Sequence, residues 1–222
     1  MKTHAVICTV DVVLLTLHCE TLQVALLRRT HAPYSGAAAL PGGYVHAEED
    51  LDLQAAASRV LQDKAGLSAP YLEQLATFSG ATRDPRGWSI SVTYYALVGA
   101  DLIASAGGTG LEQCAVDDLP DLAFDHRQII DTAVARLRSK SQYSSLPCYL
   151  AGAQFTLPQL QRIYEVLLGE SLNKVSFRRK VEEMGMLEPV DGEFAGGAFR
   201  PAQLYRLRSA YRAQPSLLAR GL

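Results

Sequence analysis

The spacing of apolar residues changes period once along this chain, and that change limits the fold more than any single residue does. Over the first 120 residues, β-rich runs alternate with turn clusters and only one long helix interrupts them. Beyond about residue 150 the apolar positions recur every three or four residues, the spacing of amphipathic helices. A chain written this way is α+β, and its 222 residues are enough for two modest domains of different construction. The longest apolar run, residues 5–17, is broken by Asp11 and falls short of the roughly 20 residues that cross a bilayer. With no small-residue cleavage site after it, the run reads as a core strand rather than a secretion signal.

Residues 22–28 then form a hairpin with that strand, and residues 73–79 and 89–98 form a second strand pair. A helix is expected from Asp52 or Leu53 to Ala65, stopped by Gly66. Ile129, Ile130, Ala133, Val134 and Leu137 mark a second helix over 125–140, closing the first domain. Residues 139–147 read as a linker, so the expected division is 1–140, a linker at 141–150, and 151–222. In the second domain Thr156 and Gln159 make a capping box ahead of Leu160, Ile163, Tyr164, Leu167 and Leu168, with Gly169 as the stop. A short turn leads to a helix over 173–184 that buries Phe177, Val181 and Met184, and Gly185 ends it. An Asp191-Gly192 turn, a tip at Ala195-Gly196-Gly197 and a return strand near 204–207 complete a hairpin.

Charge divides at the same boundary. Residues 1–140 hold 11 Lys/Arg against 16 Asp/Glu, whereas residues 141–222 hold 10 against 7, so an acidic half precedes a basic one. Cys8, Cys19, Cys114 and Cys148 have neither metal-ligand spacing nor the density of a disulfide scaffold, which fits a reducing cytoplasm.

Two constellations carry chemistry. In the first half, Leu40-Pro41-Gly42-Gly43, an acidic loop, a helix containing Arg59 and the ending Gly66-Leu67 resemble a Nudix box, G-x5-E-x7-R-E-U-x-E-E-x-G-U. That family's helical glutamates share one face and hold divalent metals against a pyrophosphate. Here Val60, Asp63 and Lys64 occupy the three glutamate positions, and nine residues rather than seven separate Glu49 from Arg59. Losing carboxylate ligands and gaining an ammonium disfavours a hard cation, so no metal and no catalytic residue is expected. Recognition can outlast catalysis: Arg83, Asp84, Arg86 and Trp88 form a loop that resembles one in Nudix enzymes acting on ADP-ribose. Forked guanidiniums suit a pyrophosphate and an indole can stack on a base. With Arg28, Gly43 and Lys64 they form the expected ligand set, Lys64 and the arginines supplying the positive charge that metals supply elsewhere.

In the second half, Asn173, Lys174, Ser176, Arg178, Arg179 and Lys180 lie on a helix whose apolar face is already committed. A recognition helix has this design, one face packed and the other in the major groove. Ser176, Arg179, Lys180 and Glu183 share an arc suited to base edges, with Lys174 and Arg178 at phosphates. Arg200, Arg206 and Arg208 would flank the duplex as a wing.

In this order, the two halves resemble the Nudix-related transcriptional regulators of NAD biosynthesis. The likeness runs through residues 40–45, 73–75, 83–88, 122–127, 173–180 and 200–205. It implies an N-terminal Nudix-like α/β/α sandwich with a mixed sheet and a C-terminal winged helix-turn-helix. It further implies a homodimeric repressor of NAD synthesis or salvage genes that binds a palindromic operator in double-stranded DNA. The effector would be ADP-ribose or an NAD-related nucleotide, with no cofactor and no membrane. The rival reading is an ADP-ribose pyrophosphatase with metal ligands Glu48, Glu49 and Asp63; a third makes the basic helix a docking face for an acidic protein.

Overall fold

The computed structural model describes residues 5–106, 110–196 and 201–211. Strands β1 (Ile7–His18) and β2 (Thr21–Arg28) form the expected antiparallel hairpin, with Leu15 opposite Val24. Cys19 and Glu20 both take left-handed φ at its turn, which matches the twist of the flanking strands. Strands β3 (Ala38–Ala39), β4 (Gly42–Tyr44), β5 (Tyr71–Gly80), β6 (Ser89–Leu97) and β7 (Glu112–Ala115) complete a seven-stranded mixed sheet. Strand β1 is central, parallel to β6 and antiparallel to β2 and β4.

Helix α1 (Leu53–Ala65) and the short α2 (Ala100–Ser105) cover one face of the sheet, and α3 (His126–Ser141) covers the other. This arrangement accounts for apolar residues on both faces of β1. Val10, Val12 and Leu14 pack towards α1, while Val13 and Leu15 pack into the core that contains α3. A strand covered on both faces has no reason to alternate. The ends of α1 follow the local chemistry: Asp52 accepts the Ala55 N–H at 2.7 Å, and Gly66 at φ 65° returns its own N–H to Gln62.

The second half contains β8 (Phe155–Thr156), α4 (Leu157–Leu168), α5 (Lys174–Met184), β9 (Leu187–Ala195) and β10 (Ala202–Leu207). The three strands form one antiparallel sheet in the order β8-β10-β9. The capping box of Thr156 and Gln159 is present in both directions at the start of α4, and Asn173 caps α5 by accepting from Val175 and Ser176. Tyr164 of α4 meets Phe177 of α5 edge-on, with ring centroids 5.5 Å apart. No helix among the described residues is long and apolar enough to cross a membrane.

One expectation is refined and one corrected. The supposed linker is not an exposed tether: Leu146–Leu150 form a 3-10 turn whose five residues are all buried. Leu146, Cys148, Tyr149 and Leu150 join the same core as Ile129, Leu137, Leu160 and Phe177. The serines and proline give a local sign of a linker, and the apolar residues on either side of Pro147 bury it. Asp191-Gly192 is not a turn either. Both residues lie within β9, where Gly192 takes φ 72° and the pairing with β10 slips between Pro189–Tyr205 and Phe194–Gln203. Glycine there serves an irregularity inside the strand rather than its reversal. The expected tip residue Gly197 lies outside the described residues.

Candidate functional site

A cavity of about 510 Å³ opens where the end of β2, the β4 region, α1 and the loop before β6 converge. Arg28, Gly43, Lys64, Arg83, Asp84 and Arg86 all line it, so the fold brings together six residues that the sequence offered from four separate segments. Trp88 is not among the lining residues. It stands 47% exposed at the start of β6, where its carbonyl accepts the Ile7 N–H. The aromatic wall comes instead from Phe124 and Tyr44. Phe124 stacks edge-on with Tyr34 and carries the Arg29 guanidinium 4.7 Å above its ring.

The charged groups are mostly tied down. Arg83 makes a forked pair with Asp125 at 2.8 and 2.9 Å and also reaches Ser89. Arg86 forks onto Asp84 and donates to the Tyr44 hydroxyl at 2.6 Å, while Arg28 pairs with Glu112 across the sheet. The guanidiniums that hold Asp84 and Glu112 keep these carboxyls below their ordinary pKa, at Asp84 against the opposing effect of burial. Lys64, on the last turn of α1, has no hydrogen-bond or ion-pair partner among the described residues. The lining holds six Lys/Arg side chains; Arg28, Arg59, Arg83 and Arg86 are paired with carboxylates, whereas Lys64 and Arg29 have no carboxylate partner among the described residues and suit an anionic ligand.

The Nudix-box positions serve packing and pairing. Val60 is 2% exposed and belongs to the core under the sheet. Arg59 forks onto Asp50, whose carboxyl is drawn down to about 2 by those hydrogen bonds, and also donates to the Tyr44 carbonyl. Glu49 pairs with His46 at 3.0 Å, and Asp63 lies 3.8 Å from Arg59. Among the described residues no three His, Cys, Asp or Glu side chains are grouped so as to hold a metal ion.

Sequence reasoning did not assign Asp11 and His126 to the cavity. Asp11 is buried on β1 and accepts from Ser91 at 2.6 Å, and a Cβ on Gly42 would lie 2.0 Å from its Oδ1, so any larger residue at 42 would displace the Asp11 carboxylate. His126 accepts the Leu40 N–H on Nδ1 and places Nε2 3.8 Å from Asp11. Burial lowers its pKa against the pull of Asp11 and Asp125, so the imidazole is neutral near pH 7 with its proton on Nε2. The visible signal was an acid standing alone in an apolar strand.

The basic helix is arranged differently. Lys174, Ser176, Arg178 and Arg179 of α5 are exposed and Lys180 is half-buried, while Phe177 and Val181 fix the opposite face in the core. Asn173 uses its carboxamide oxygen for the helix cap. Arg179 approaches Glu183 at 3.7 Å one turn on. In the adjoining hairpin Arg206 pairs with Glu188 at 2.6 Å and Arg208 donates to the Leu187 carbonyl, whereas Arg200 lies outside the described residues.

Comparison with known proteins fits both halves. The model of the NrtR DNA-binding winged helix domain matches residues 147–207. An ADPR-responsive transcriptional repressor, NtrR, of Acinetobacter baylyi is 42% identical over 205 residues, covering 89% of this chain and 80% of that protein. The chain belongs to the NrtR family. The crystal structure of Shewanella oneidensis NrtR complexed with a 27mer DNA matches 97% of this chain and 99% of its own, at 38% identity and a TM-score of 0.89. The NUDIX domain of the same NrtR, cocrystallised with ADP ribose, matches 61% of this chain and 90% of its own, at 38% identity and a TM-score of 0.55. The NrtR architecture, a Nudix domain followed by a winged helix, therefore spans both halves of the chain.

Proposed function

We propose that this chain is an ADP-ribose-responsive repressor that binds operator DNA through α5 and senses its effector in the cavity of the Nudix half. In this reading residues 1–140 sense, 151–222 bind DNA and 141–150 join them. A homodimer in the cytoplasm meets a palindromic operator near NAD synthesis or salvage genes. The reading rests on the correspondence, over nearly the whole chain, with an NrtR complexed with DNA. The cation-rich cavity supports it, lying in the half that corresponds to the ADP ribose cocrystal.

Arg83 and Arg86, held by their carboxylates, offer fixed donors to a pyrophosphate; Lys64, Arg28 and Arg29 add charge, and Phe124 offers a ring face for a base or ribose. Lys174 and Arg178 take phosphates, and Arg179 and Ser176 face bases. The same cavity is proposed to bind without hydrolysing, because Val60 is a core residue and Lys64 lines the cavity with an ammonium where the Nudix pattern has a glutamate.

The test is operator binding by the full chain, titrated with ADP-ribose and with NAD at fixed salt. A protected sequence whose affinity shifts with ADP-ribose is the expected result. Lys64→Glu should weaken ADP-ribose binding without added metal, and unchanged affinity would remove Lys64 from the site. Release of AMP from ADP-ribose with magnesium or manganese would reinstate the hydrolase built on Glu48, Glu49 and Asp63.

A further inference from the structure

The outward face of α5 is not uniformly polar. Val175 is 75% exposed, whereas Phe177 and Val181 of the same helix are 2% and 4% exposed. At 3.6 residues per turn, Val175 and Arg179 stand one above the other, opposite the buried pair. An apolar side chain thus occupies the centre of the face flanked by Lys174, Ser176, Arg178 and Arg179. Single exposed apolar residues are common on protein surfaces; the distinction of Val175 is its place, in the first turn of the recognition helix, the part of such helices that meets base edges.

Folding gives this residue little in return. Valine is a poorer helix former than alanine or lysine, and here its side chain adds nothing to the core. Its position is nevertheless well fixed. The Asn173 cap accepts the backbone N–H of both Val175 and Ser176 at 3.0 Å, and a β-branched side chain has one strongly preferred rotamer in a helix. A rigid pair of methyl groups held outward on a cationic helix suits one feature of the major groove, the C5-methyl of thymine, which takes apolar contacts rather than hydrogen bonds.

We propose that Val175 is a specificity-determining residue that reads a thymine methyl in each operator half-site, beside the base read by Arg179. The assignment rests on the DNA-binding reading of α5. Four residues of helix rise about 6 Å, and base-pair steps are about 3.4 Å apart, so the thymine should lie within about two steps of the base contacted by Arg179.

The experiment begins by selecting the preferred duplex from a random pool with the full-length protein. Each thymine of that duplex is then replaced by deoxyuridine, which deletes only the methyl, and binding is measured with the wild-type protein and with Val175→Ala. One thymine per half-site should lose about fourfold in affinity for the wild type, the size of one buried methyl, and lose almost nothing for the variant. The salt dependence should be the same for both proteins, since no phosphate contact is removed. An equal deoxyuridine penalty in both proteins at every thymine would overturn the assignment, as would a variant that binds the intact operator as tightly as wild type. A pool that yields no preferred sequence would instead overturn the operator reading itself, and the assignment with it.

Discussion

Arg83 and Arg86 in the cavity and Arg179 on α5 are held in opposite ways. In the cavity, Arg83 and Arg86 grip Asp125 and Asp84 through forked bonds, and the Arg83 side chain is only 10% exposed. On α5, Arg179 is 71% exposed and its acidic neighbour is 3.7 Å away. Fixed arginines present a small ligand with donors whose ordering cost was met on folding. Exposed ones keep their counterions until phosphates displace them, which gives affinity that depends steeply on salt. The cavity arginines are thus fixed by folding, whereas Arg179 is not.

The widest test of this contrast lies within α5. Phe177→Ala should cost about 4 kcal/mol of stability in denaturant unfolding, because it empties the core beneath the helix. A loss under 1 kcal/mol would mean that α5 is not anchored there. In the cavity, Arg83→Ala should cost about 3 kcal/mol by leaving Asp125 unpaired and largely enclosed. Comparable stability would show that the pair is not built in before the ligand arrives. Arg179→Ala should leave unfolding almost unchanged while discrimination at one operator base falls by about 1–3 kcal/mol. Lys174→Gln should lower the log–log salt slope of operator binding by about 0.9, and Arg86→Ala should not change it.

The smallest effect concerns His126. Burial lowers its folded pKa, so the unfolded chain binds the proton more readily. Its contribution is complete above the unfolded value of about 6.5 and is lost as pH falls through the folded pKa. Unfolding measured from pH 7.5 to 5 should therefore show a decline that His126→Gln flattens. Parallel profiles would mean that His126 does not titrate differently in the two states.

Features that depend on neighbours in sequence were legible in advance. The box at Thr156 and Gln159 and the stops at Gly66, Gly169 and Gly185 involve residues at most a few positions apart. Features that depend on distant partners were not. Phe124 enters the cavity wall through contact with Tyr34 and Arg29, and His126 through Leu40, 86 residues away. Trp88 suggested the stacking ring because it is the chain's single indole and lies beside the arginines in sequence, but it is not among the residues that line the cavity. At Asp191-Gly192 the local turn signal became an irregularity inside β9, between the paired residues Pro189 and Phe194.

The buried turn at Leu146–Leu150 has a mechanical consequence. A loose tether would let either half shift without disturbing the other. Here α3 is clamped to the sheet by Lys140 and Arg136 on Glu73, and it continues through Tyr164 bonded to the Ser144 carbonyl into α4. Close-packed interiors yield little under compression. The sheet, α3, the buried turn and α4 are thus joined by packed contacts, with no loose segment between them.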